Sequence, residues 1–88
     1  MIRVIYDGNT GLTIQGHAGS APRGEDLICA AVTGLALALE TAAEQSELSP
    51  GKARFQGGDP KQYEVIAGGL RRLWEQYPYA VHFKCMHD

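Results

Sequence analysis

The 88-residue sequence predicts an α+β fold of two layers, a mostly antiparallel sheet with two helices packed on it, in the order β-β-α-β-α-β. Three observations predict it. Short alternating segments stand at both ends of the chain, the first of them rich in β-branched residues. Two longer segments repeat apolar residues every three or four positions. Clusters of Gly, Pro, Asn and Asp separate these segments. The length fits a single domain over residues 1–88, and an apolar fraction of 44% is enough for one modest core.

Met1 to Tyr6 alternates as a half-buried strand does. Asp7-Gly8-Asn9-Thr10-Gly11 has turn chemistry, so Leu12 to Gly16 reads as the returning strand of a hairpin. Gly19 to Gly24 reads as a loop. From Asp26 to about Glu47 the sequence turns to Ala, Leu and Glu without proline, which favours a helix with Asp26 as its N-cap. Ile28, Val32, Leu35, Leu39 and Ala43 form its buried stripe, and Glu40, Glu44 and Glu47 face water. Ser49-Pro50-Gly51 ends that helix, and Ala53 to Gly57 is a short strand broken by Gly57-Gly58-Asp59-Pro60. Tyr63, Ile66, Leu70, Leu73, Trp74 and Tyr77 then recur at helical spacing up to Pro78. Tyr79 to Met86 is the closing strand, with Val81, Phe83 and Cys85 on one face.

The charge balance narrows the function classes. A net charge of −2 gives no basic excess, so no direct nucleic-acid partner is expected. No apolar run approaches the roughly 18 residues of a membrane span, and MIRVIYDG lacks the pattern of an export signal. The expected location is cytoplasmic, without a membrane partner, and the two cysteines are expected as free thiols. His82, Cys85 and His87 do not converge as metal ligands, because a strand sends His82 and Cys85 to opposite faces. No metal or cofactor is expected.

The chemistry concentrates in residues 16 to 34, GHAGSAPRGEDLICAAVTG. His17 sits where the second strand ends, and Cys29 falls just inside the predicted helix. A thiol near a helix N-terminus ionises more easily, an adjacent imidazole exchanges its proton, and free N–H groups of that turn, including that of Cys29, are suited to an oxyanion. Strict alternation points His17 away from the helix, unless the chain bends at Gly16. The spacing alone leaves two readings open: a catalytic pair, or a loop histidine beside a core cysteine.

Gly16-His17-Ala18 followed by Gly24-Glu25-Asp26-Leu27-Ile28-Cys29-Ala30-Ala31-Val32-Thr33 resembles the ribosomal-processing cysteine protease (Prp) family. The resemblance is strongest over the first hairpin and first helix. It implies a small cytoplasmic cysteine endopeptidase, usually a homodimer, that removes the N-terminal extension of a large-subunit ribosomal protein; relatives process phage proteins. It maps the family's catalytic histidine and cysteine onto His17 and Cys29 and its acidic residue onto Asp26. It makes Gly19 to Glu25, with Gly19, Ser20, Gly24 and Glu25, a substrate loop expected to order around the peptide. Two departures stand out. Thr33 replaces the family's common serine, and Ala53 to Gly57 stands where members have a longer strand pair. The rival reading is a catalytically silent, dimeric protein-binding module of the same fold.

Overall fold

Alternation in the first strand turns Ile2 and Val4 to one side and Arg3 and Ile5 to the other, and the rest of the chain is built on that division. The computed structural model describes residues 1–16 and 23–86, and for 23–26 the backbone alone. The described residues form β1 (Ile2–Tyr6), β2 (Gly11–Gln15), α1 (Arg23–Glu40), β3 (Gln45–Ser49), β4 (Lys52–Gln56), α2 (Pro60–Gln76) and β5 (Val81–Cys85). The sheet order is β3-β4-β2-β1-β5. Three neighbouring pairs are antiparallel and β1–β5 is parallel. Two β–α–β crossovers interleave: β2 reaches β3 through α1, passing β4, and β4 reaches β5 through α2, passing β2 and β1.

Both helices cover the same side of the sheet. Val4, Leu12, Phe55 and Val81 meet Ile28, Val32 and Leu39 of α1 and Tyr63, Ile66 and Leu70 of α2 in one cluster of buried side chains. Burying each large apolar side chain of this set contributes about 1.5–3 kcal/mol. Among the described residues no polar or charged residue is buried. Trp74 and Tyr77 pack half-buried against the cluster, Trp74 stacking on Phe83, while Arg71 and Arg72 face solvent. At the start of α2 the Asp59 carboxylate accepts the N–H of Lys61 at 2.9 Å, and Pro60 occupies the first turn, where it forfeits no helical hydrogen bond.

The α+β class and the mostly antiparallel sheet are as the sequence predicts, but the first helix and the middle of the chain differ. α1 begins at Arg23, not Asp26, so Asp26 is its fourth residue and not its N-cap. Pro22 before the helix and the acidic pair Glu25-Asp26 in its first turn suit the earlier start, and Gly24 is tolerated there at a cost of about 1 kcal/mol. α1 ends at Glu40, where the N–H groups of Ala42 and Ala43 both turn back to the carbonyl of Leu39 at 2.9 Å. The chain then forms the hairpin β3–β4, in register from Gln45–Gln56 to Ser49–Lys52. The expected order therefore lacks one strand, and the strand pair that seemed shortened is present. Glu44 lies in the turn before β3 and Glu47 within β3, so neither belongs to a helical face with Glu40.

Candidate active site

The two strands of the first hairpin end at a sharp bend. Gly16 has φ +99°, a left-handed conformation that side-chain-bearing residues rarely adopt, and a Cβ there would run into the Met1 carbonyl oxygen. The bend anticipated at this residue is thus present, with the strand ending at Gln15. The N–H of Gly16 donates to the carbonyl of Gly51 at 2.9 Å, which ties the end of β2 to the tip of the β3–β4 hairpin.

Beside that bend lies a cleft of about 320 Å³. One wall is α1, through Cys29, Val32, Thr33, Ala36 and Leu37. The other is the sheet and the hairpin tip, through Ile2, Ile14, Gly16, Leu48, Ser49, Gly51, Lys52 and Ala53. Cys29, Thr33 and Leu37 are spaced by four and share the flank of α1 next to its buried stripe. The Cys29 thiol is half-buried, packed against the core yet open to the cleft. Leu37 and Leu48 face the cleft from opposite walls and are each about half exposed, so the cleft is apolar at that end. A mostly apolar cleft with a few polar groups suits an extended peptide.

The predicted site residues separate into three groups. Cys29 lines the cleft, as does Gly16, the neighbour of His17. His17, Gly19 and Ser20 lie outside the described residues. Gly24, Glu25 and Asp26 belong to the first turn of α1, so the expected loop does not extend to Gly24 and Glu25. The earlier helix start also corrects the expected oxyanion donors. Cys29 is the seventh residue of α1, about 9 Å along the axis from Arg23. The four unpaired N–H groups of a helix belong to its first turn, so that of Cys29 is not among them.

The hairpin wall of Leu48, Ser49, Gly51 and Lys52 was not anticipated as part of the site. Its signal is Pro50-Gly51 between two short polar–apolar segments, a turn pair that joins strands as readily as it stops a helix. Cys85 lies on β5, with β1 and β2 between that strand and β4 of the hairpin wall, and is partnered in register by Tyr6; it is exposed and free.

Solved structures give the same architecture. The chain is similar to SMU.848 from Streptococcus mutans, with 25% identity, 99% of this chain and 93% of that one covered, and a TM-score of 0.69. It is similar in fold to the essential ribosomal processing protease Prp from S. aureus in complex with a covalently linked product peptide, at 17% identity, complete coverage of both chains and a TM-score of 0.74. The S. aureus protein in complex with a substrate peptide gives 14% identity, 99% and 97% coverage and a TM-score of 0.72. No curated protein matches the sequence. The model of the cysteine protease Prp family matches residues 1–82, a span that includes the bend at Gly16 and both walls of the cleft, Cys29 in one of them, and the chain belongs to that family.

Proposed function

We propose that the chain is a cytoplasmic cysteine endopeptidase that removes the N-terminal extension of a large-subunit ribosomal protein, or of a related phage protein, and that it acts as a homodimer. One observation carries the reading: the Cys29 thiol stands in the wall of a peptide-sized cleft that Gly16, the residue before His17, also lines. Family membership supports the chemistry, and the S. aureus relatives, named as a ribosomal processing protease and bound to substrate and product peptides, support the substrate class.

In this mechanism the Cys29 thiol gives its proton to His17, and the sulfur attacks the scissile carbonyl carbon. The carbon–nitrogen bond breaks as His17 returns the proton to the leaving amine. Water then hydrolyses the thioester, releasing the new carboxylate and restoring the thiol. Asp26 is assigned the role of orienting His17 or supporting the helix start, and residues 19 to 25 that of contacting the substrate.

A second reading, a non-cleaving peptide-binding module, is favoured by one feature: in a helix that starts at Arg23 the N–H of Cys29 is not free to hold an oxyanion. The endopeptidase therefore needs its oxyanion donors from elsewhere. The two readings separate in one experiment. Iodoacetamide labelling of Cys29 is followed against pH with Cys85→Ser as background, alongside cleavage of a peptide carrying the ribosomal protein's N-terminal extension. The endopeptidase predicts rapid labelling of Cys29 that slows in His17→Ala, and a fall in cleavage of about 10⁴-fold or more in Cys29→Ala. Full cleavage by Cys29→Ala would overturn it. Peptide binding without cleavage, together with labelling indifferent to His17, would establish the module.

A further inference from the structure

Both helices cover one side of the sheet, no described residue outside the strands covers the other, and strand register fixes what that bare side carries. Arg3 lies opposite Gln15 and His82, and Gln15 opposite Lys52. In the next row Ile5 lies opposite Thr13 and Lys84, Thr13 opposite Arg54, and Arg54 opposite Glu47. Arg3, Lys52, Arg54 and Lys84 are all exposed, and none forms an ion pair among the described residues; Lys52, beside the hairpin tip, also borders the cleft. These four are half of the chain's eight Lys and Arg, on a side whose rows hold one carboxylate, Glu47, in a chain of net charge −2. Net charge averages over faces, and here it conceals a segregation.

We propose that this bare side of the sheet docks the phosphate backbone of paired RNA. Charge complementarity carries the inference, since four unpaired cations spread over β4, β1 and β5 form a field that a polyanion satisfies. A second copy does not fit, because two such sides facing across a two-fold axis set cation against cation. The side chains between the cations select among polyanions. Thr13, Gln15 and Gln56 supply a hydroxyl and amides that donate to phosphate oxygens and exchange hydrogen bonds with a 2′-hydroxyl. His82, at the outer edge, lies against Trp74 with ring centroids 5.6 Å apart. No aromatic ring among the described residues is then left over the middle of this side to stack an unpaired base, so the bases of the partner stay paired. Ile5 is the only large apolar side chain in these rows, too little to enter a lipid surface. Four cations give binding that is independent of sequence and falls with salt, with a log–log slope of about −3.6. Cys29 lies on the helical side and Arg3, Arg54 and Lys84 do not line the cleft, so with Lys52 left intact loss of RNA binding and loss of peptide cleavage are separate measurements.

The test is fluorescence anisotropy with a labelled RNA duplex of about 20 base pairs, titrated between about 50 and 200 mM salt. Arg54→Gln combined with Lys84→Gln is expected to weaken binding about tenfold or more at the lower salt, and Arg3→Gln alone by several-fold. Arg71→Gln combined with Arg72→Gln removes the same charge from α2 and is expected to leave binding within about twofold. Equal melting temperatures exclude unfolding as the cause. Absence of binding at the lowest salt, an equal loss in the α2 pair, or tighter binding to a DNA duplex or to polyglutamate would each overturn the proposal.

Discussion

Tyr63 is completely buried on α2, and its hydroxyl donates to the Gly57 carbonyl at 2.7 Å. That carbonyl also accepts the N–H of Glu44 at 3.3 Å, so one oxygen joins the turns before β3 and before α2. Tyr63→Phe removes one donor without emptying the core and is expected to cost about 1 kcal/mol in denaturant unfolding. Burial foremost, then the carboxylates of Asp7 and Glu44, push the Tyr63 pKa above the ordinary value of 10.0. The neutral phenol is thus favoured by folding. Its stabilising effect is complete below pH 10.0 and is lost as pH rises through the folded value. Unfolding measured up to about pH 11 is expected to show a shallower alkaline decline in the Phe variant; equal slopes would contradict the assignment. Other residues were legible in proportion to how local their signals are. The stripe of Ile28, Val32 and Leu39 and the bend at Gly16 follow from spacing and from glycine's freedom. The exposure of Cys29 to a cleft does not, because that cleft is completed by residues 48 to 53, far away in sequence.

At the scale of elements, the β3–β4 hairpin was the part least legible in the sequence. Thr41 to Glu44 carry fair to good helix propensity, and β3 buries none of its residues, so it shows no alternation of burial to read. Pairing with β4 overrides propensity there. Phe55 and Ala53 carry the alternation for both strands, since they are the buried members of the hairpin. The turn itself is simple: proline holds φ near −65° and Gly51 has φ +78°, the φ pair of a type II turn. Gly51→Ala forces a Cβ into that conformation and is expected to lower stability by about 1–2 kcal/mol. Because Gly51 accepts the N–H of Gly16, the same variant is expected to change the rate at which Cys29 is alkylated within the folded protein. An unchanged labelling rate would show that the hairpin tip and the end of β2 move independently.

For the molecule as a whole, the α+β class was readable because both helices and four of the five strands carry their own periodicity. The family resemblance, read from Gly16 to Thr33, agrees with a match that spans residues 1–82. Association belongs to this scale. The outer face of α1 presents Leu27, 74% exposed, with Ala30, Ala31, Gly34 and Ala38 exposed along the same helix. A homodimer built on this face predicts that Leu27→Glu shifts sedimentation from dimer to monomer while the melting temperature of the monomer is kept. A wild-type monomer at high concentration would contradict it.

The parallel pair β1–β5 sets the order in which the chain becomes a protein. Ile2 lies beside Val81 and Tyr6 beside Cys85, so the first strand meets its outer neighbour only across nearly the whole intervening sequence. During synthesis the hairpin β1–β2 has its own local partner, but its other edge stays open until residues 81 to 85 have emerged. Val4, completely buried in the finished fold, is without its β5 neighbour Phe83 until then. Such a distant pairing raises contact order and slows folding relative to a helical bundle of the same size. The chain spends its nascent life with an apolar strand edge uncovered, and β5, which follows every other described element, is the strand that closes it.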